Sequence, residues 1–194
     1  MPLAEEAQDL KAALLTLDET RDEAIDAARQ TIKASKAAIY AAIREDEAQA
    51  RARLEETWAR ARRLKALFTP EPALWTEELF WVALGEAVEA EVVVRYVFSG
   101  TLPGRRDLPE DVPLPTFLHG LFDTGGELLR AASERMIKGD LAFAERTKET
   151  LWQVYFLGLE LDLKRFDLRR KLDYLSDVLK KLEEFLFFAH MRRV

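Results

Sequence analysis

Residues 100–115 read GTLPGRRDLPEDVPLP. This stretch holds four of the chain's seven prolines: Pro103, Pro109, Pro113 and Pro115. The others are Pro2, Pro70 and Pro72, so the stretches 3–69, 73–102 and 116–194 contain none. A proline inside a helix costs about 3 kcal/mol, and strands need frequent turn residues between them. A chain rich in Ala, Leu, Glu and Arg, with its breakers gathered in two places, therefore reads as all-α. The expected architecture is a single-domain bundle of six to seven helices with very long N-terminal helices. A β-barrel, a sandwich, a Rossmann domain and a P-loop enzyme are excluded on the same ground.

The 194 residues suit one domain, 1–194, and 48% hydrophobic content is enough for a core. The chain has no cysteine, which excludes disulfides, thiolate zinc sites and cysteine nucleophiles. Met1 to Leu10 is acidic and lacks an apolar signal region. No run of 18 apolar residues is present to span a membrane. The expected compartment is the cytoplasm. Net charge is −6, which argues against a basic nucleic-acid coat but leaves room for a local basic channel.

Outward from the linker, helical periodicity places six elements. Leu14, Leu17, Ile25, Ile32, Ile39 and Ile43 mark one face of a first helix. Over 4–44 it would run about 60 Å, more than a compact domain needs, so its excess length calls for a partner surface. A break falls near Glu45-Asp46. A second helix, 46–68, carries Arg51, Arg53, Arg60, Arg62, Arg63 and Lys65 between its apolar positions. Their plainer reading is a solvated face paired with Glu55 and Glu56. Thr76 reads as the N-cap of a third helix ending at Ser99-Gly100. The fourth covers 115–138, the fifth 141–163 behind Asp140, and the sixth 166–192. Phe185 to Phe188 is apolar all round, which fits either central core or an oligomer contact.

The third helix is almost wholly apolar from Phe80 to Phe98 yet carries Glu86, Glu89 and Glu91. Glu86 and Glu89 share a face, whereas Glu91 points elsewhere. The fourth helix sets His119, Asp123, Glu127 and Arg130 on one face. It also contains Gly120, Gly125 and Gly126, each costing about 1 kcal/mol against Ala, so something must approach its backbone closely. Two acid pairs on neighbouring helices make a four-carboxylate cluster: Glu86, Glu89, Asp123 and Glu127. Left unneutralised, it would repel itself and raise its own pKa values. Mg²⁺ or Mn²⁺ relieves that repulsion, and two such ions are the usual apparatus for phosphodiester hydrolysis, one of them activating water. The competing reading is salt bridging, with Arg95, Arg130 or Lys148 as partners. His119 alone reads as a core or rim residue and His190 as a helix end.

Phe117 to Arg130, FLHGLFDTGGELLR, resembles the YLxGVxDLTGELMR helix of the translin family's catalytic branch, translin-associated factor X. The match continues to Gly139-Asp140. Gly85 to Ala90 resembles the family's QEYVEA segment, Lys171 to Arg192 its closing helix, and Thr31 to Arg44 the end of its long first helix. The resemblance covers most of the chain from about residue 20. It implies a translin-like fold and Mg²⁺-dependent endoribonuclease activity on single-stranded RNA. Glu86, Glu89, Asp123 and Glu127 match the acids of that branch, and translin itself has no acid at the place of Asp123. Arg130 matches an arginine beside the site that meets phosphate. Glu134 and His119 depart from the family, and the 101–115 linker is short. The expectation is a homo-oligomer, a closed ring or capsule, acting on single-stranded RNA or DNA. Arg51, Arg60, Arg62 and Arg63 would face its interior. The rivals are a non-catalytic RNA- and DNA-binding oligomer like translin, an all-α nucleotide pyrophosphatase and a purely structural helical protein.

Overall fold

The computed structural model describes residues 6–70 and 78–191 (for Phe166, the backbone alone). Six helices form: α1 Ala7–Ile43, α2 Glu47–Phe68, α3 Glu78–Ser99, α4 Leu114–Ile137, α5 Leu141–Glu160 and α6 Phe166–Met191. A 3-10 turn, Arg105–Asp107, lies in the linker, and the described residues contain no strand. No described helix is long and apolar enough to cross a membrane. Thr76, Arg192 and Arg193 lie outside the described residues.

The breaks fall where the local chemistry stops a helix. The Asp46 side chain accepts from Gln49 N at 3.0 Å and opens α2. Just before it, Glu45 adopts a left-handed backbone (φ 64°). Its carboxylate receives Lys138 Nζ at 2.6 Å and Arg135 at 3.3 Å, which ties this turn to the end of α4. Asp140 caps α5 in the same way, through Phe143 N. Gly139 precedes it at φ 92°, where only a residue without Cβ sits unstrained. The fifth helix stops at Glu160, three residues short of the sequence expectation. Leu161 caps it, and Asp162 turns left-handed (φ 42°).

The helix α1 is 37 residues long, about 55 Å at helical rise. Leu17 packs against the edge of the core and full burial begins at Ala24, while Leu10, Leu14 and Leu15 are exposed among the described residues. Its second half packs on α2 and α3, α4 packs on α3, and α5 and α6 pack on α4 and on each other. The helix α3 is the central one: Ala83, Ala87, Val88, Val92 and Val93 are all fully buried. At the far end of α6, Leu186 enters the core, but Phe187 and Phe188 are 60% and 61% exposed. They are therefore not central core.

Candidate metal and nucleic-acid site

The site is built where α3 and α4 touch most closely. A Cβ added at Gly120 would stand 2.5 Å from the Gly85 carbonyl oxygen and 2.7 Å from Val88 Cβ. Glycine at 120 thus lets the two backbones meet one turn from both acid pairs. The other α4 glycines admit α6: a Cβ at Gly125 would meet Leu175 Cδ1, and one at Gly126 the Tyr174 hydroxyl. The three glycines are therefore approached by helices.

All four sequence-predicted acids face this seam, and each α3 acid lies in the field of the α4 acids. Burial raises the Glu86 carboxyl above its ordinary pKa. Lys36 opposes that shift, and Asp123 and Glu127 add to it. Burial pushes Glu89 further, up to about 8, with Glu86, Asp123 and Glu127 adding to the effect. Glu89 therefore keeps its proton at neutral pH unless a cation displaces it. Glu127 Oε2 is buried and has no hydrogen-bond partner among the described residues. A buried acceptor without a donor is costly, which is the mark of a missing cation or water.

Asp123 is held differently. Lys171 Nζ, on the first turns of α6, lies 2.5 Å from both of its carboxylate oxygens. Lys36 on α1 stands 4.0 Å from Glu86. The cations that face the cluster are thus Lys171 and Lys36. Arg95, Arg130 and Lys148, which the sequence suggested, do not serve. Arg95 binds Glu91 at 2.6 Å and Lys148 reaches Glu149. Glu91 indeed points elsewhere: it is buried against α2, where Trp58 Nε1 donates to it at 2.7 Å. As the side chains lie, no three His, Asp or Glu residues among those described converge to enclose an ion. The all-oxygen donor set, the protonated Glu89 and the orphaned Glu127 oxygen nevertheless suit a hard divalent cation.

Arg130, one turn beyond Glu127, lies with its guanidinium 5.0 Å over the Tyr40 ring. The two border a recess with Arg44, Glu134 and Lys138. The α2 arginines are paired along the surface: Arg51 with Glu47, Arg60 with Glu56, Arg63 with Glu23, and Arg62 with Glu110 at 3.6 Å. None of them lines the cavity at the acids. This bears out the plainer reading of that face in part: Glu56 is a partner as expected, but Glu55 pairs with no described residue, and Glu47, Glu23 and Glu110 take the other arginines.

Sequence reasoning missed the α6 contribution. His119 sits at the rim, with Nε2 2.8 Å from Asp167 Oδ2. Asp167 also accepts from Arg165, and these two donors hold its carboxyl far below the usual range. An ionised carboxylate only accepts, so His119 Nε2 carries the proton. His190 closes a helix end, with Nδ1 on the Leu186 carbonyl and Nε2 3.1 Å from Glu145.

Comparison with known proteins adds the following. A model of the translin family matches residues 19–193. The structure of apo-NeC3PO is similar at 34% identity, covering 94% of this chain and 96% of that one, with a TM-score of 0.88. AfC3PO superposes with a TM-score of 0.86 at 23% identity, covering 97% of this chain and 98% of that one. The AfC3PO–duplex RNA complex gives 0.86 at 24% identity with the same coverage. No curated protein sequence matches the chain.

Proposed function

The chain belongs to the translin family, and from that membership we propose that it is a cytoplasmic, Mg²⁺-dependent endoribonuclease acting on single-stranded RNA. The observation that carries the proposal is the seam itself: two half-buried acid pairs in each other's field, the Glu89 carboxyl pushed up by burial, and one Glu127 oxygen with no partner among the described residues. Nucleic-acid binding is supported by the similarity to a C3PO fold that has been solved with RNA.

Glu86, Glu89, Asp123 and Glu127 would hold Mg²⁺ or Mn²⁺. Such an ion supplies charge stabilisation at a phosphate and lowers the pKa of water. The protein's own residues do the rest. Gly120 sets the α3–α4 spacing, so both acid pairs stand on rigid helices. Lys171 neutralises Asp123, and with an ion on the acids its ammonium would stand beside them to meet a phosphate. Glu89 would hold the ion as its carboxylate, so cation affinity would rise with pH. Arg130 over Tyr40 offers a guanidinium for the next phosphate and a ring beneath it for a base. A homo-oligomer, a closed ring or capsule, would bury the exposed Leu10, Leu14, Phe187 and Phe188 and enclose the basic residues. This accounts for RNA binding by a chain of net charge −6.

The direct test is cleavage of single-stranded RNA with Mg²⁺ and with chelator, for the wild type and Asp123→Asn. Metal-dependent cleavage lost in the variant is expected, and equal cleavage by both removes the mechanism. The Lys171–Asp123 pair, with no three acids converging as they lie, favours a second reading: a translin-like oligomer that binds RNA or DNA without cutting it. That reading expects metal-independent binding and no cleavage.

A further inference from the structure

Beside the acid cluster lies a cavity of about 610 Å³, bounded by α3, the start of α4 and the first turns of α6. Its size is that of a small-molecule site. Its walls differ in chemistry. Glu86 and Asp123 form one end, where the cavity meets the carboxylate seam. Trp81, Val82, Pro113 and Pro115 form an apolar side, and Val82 is 43% exposed among the described residues. Arg165, Arg170 and Lys171 line the side made by α6.

These cations are not equivalent. Arg165 is committed to Asp167, and Asp167 to His119, so the start of α6 is pinned to α4 across the mouth. Lys171 is committed to Asp123. Arg170 makes no ion pair among the described residues. An unpaired guanidinium beside an apolar wall, in a rim held by charge-assisted bonds, is a preformed receptor for one anionic and one flat apolar group. A nucleotide carries both.

We propose that this cavity is a subsite for one nucleotide unit of the strand, with its phosphate on Arg170 and its ring on the Trp81–Val82–Pro115 wall. The inference rests on the ribonuclease reading, since it places that unit next to the phosphate being cut at the carboxylates. Lys171 borders both spaces, so a phosphate in the cavity and one at the acids would share it.

The test is calorimetric titration of the full chain, in chelator, with 5′-adenosine monophosphate, adenosine and inorganic phosphate. The nucleotide is expected to bind at least tenfold more tightly than either fragment. Arg170→Glu removes the anchor and Val82→Trp fills the cavity from an exposed position. Each is expected to weaken nucleotide binding at least tenfold and to raise KM for RNA more than it lowers kcat. Circular dichroism confirms that both variants fold. Equal binding of nucleotide and phosphate, or wild-type binding by both variants, overturns the subsite. The two readings fail separately. A wild type that binds the nucleotide but leaves RNA intact in Mg²⁺ refutes the ribonuclease alone. Cleavage with an unchanged KM in both variants refutes the subsite alone.

Discussion

The Gly85 carbonyl lies against Gly120 across the α3–α4 seam, yet alanine at the two positions should act in opposite directions. A methyl at Gly120 would lie 2.5 Å from the Gly85 carbonyl oxygen and 2.7 Å from Val88 Cβ. Ordinary contact begins near 3.5 Å, so the helices must part by about 1 Å. The first obstacle is backbone and cannot rotate aside. Overpacking of this kind costs about 1–3 kcal/mol. Better helix propensity returns about 1 kcal/mol. The net loss is about 0–2 kcal/mol, or up to roughly 8 °C in Tm for a chain this size. A methyl at Gly85 meets nothing within 4 Å and keeps only the propensity gain, so its Tm should rise by about 2–4 °C. The separation at Gly120 also moves Asp123 and Glu127 away from Glu86 and Glu89, so Mn²⁺ uptake should weaken in Gly120→Ala and persist in Gly85→Ala. Thermal melting in chelator and Mn²⁺ titration measure both effects. Two variants that shift Tm in the same direction, or a Gly120→Ala protein with wild-type Mn²⁺ affinity, would show that this contact does not set the acid spacing.

The remaining predictions concern charge. Glu89 binds its proton more tightly folded than unfolded, so its contribution to stability is complete below pH 4.5 and is lost as pH rises towards about 8. At about 1.4 kcal/mol per pH unit, the metal-free wild type should lose a few kcal/mol across that window. Urea denaturation of Glu89→Gln should show this slope removed, and parallel profiles would refute it. Lys171→Met leaves Asp123 facing the other acids. In chelator it should cost about 1–2 kcal/mol for this half-buried pair, while tightening Mn²⁺ binding severalfold because a competing cation is gone. Weaker Mn²⁺ binding would mean that Lys171 only positions Asp123. Arg130→Ala should weaken RNA binding uniformly across sequences and flatten the salt dependence by about one charge. Joint replacement of Arg60, Arg62 and Arg63 by Gln should change that slope by less, because Glu56, Glu110 and Glu23 already engage them.

Periodicity and capping chemistry made most of the fold legible. Asp46 and Asp140 stop and start helices through bonds within three residues, so their positions suffice to locate the breaks. The acid pairs were legible for the same reason: spacings of three and four fix a common face, and a glycine-rich neighbour announces close approach. What spacing does not encode is which distant element lies opposite. Lys171 is 48 residues from Asp123, and Asp167 is 48 from His119. Each meets its partner only after α6 folds back. The closing-helix resemblance reached Lys171 without giving it a task. Glu91 shows the converse, since only the packing of α2 on α3 aims the Trp58 indole nitrogen at it. The end of α5 was misjudged because Asp162 carries the left-handed turn where glycine would have announced it.

The sequence distance between Asp123 and Lys171 also orders the assembly of the site in time. The two acid pairs sit on consecutive helices joined by a loop of about 14 residues, which closes at small entropic cost. Their neutralising lysine arrives on the last helix, across the whole of α5. During synthesis α3 and α4 emerge before α6, so the four carboxylates are brought together with only Lys36 of α1 facing them, 4.0 Å from Glu86, and before the lysine that pairs with Asp123 exists. A ribosome-bound or truncated chain ending before α6 should therefore take up a divalent cation more readily than the finished protein. Folding of the last helix then acts as an ion exchange.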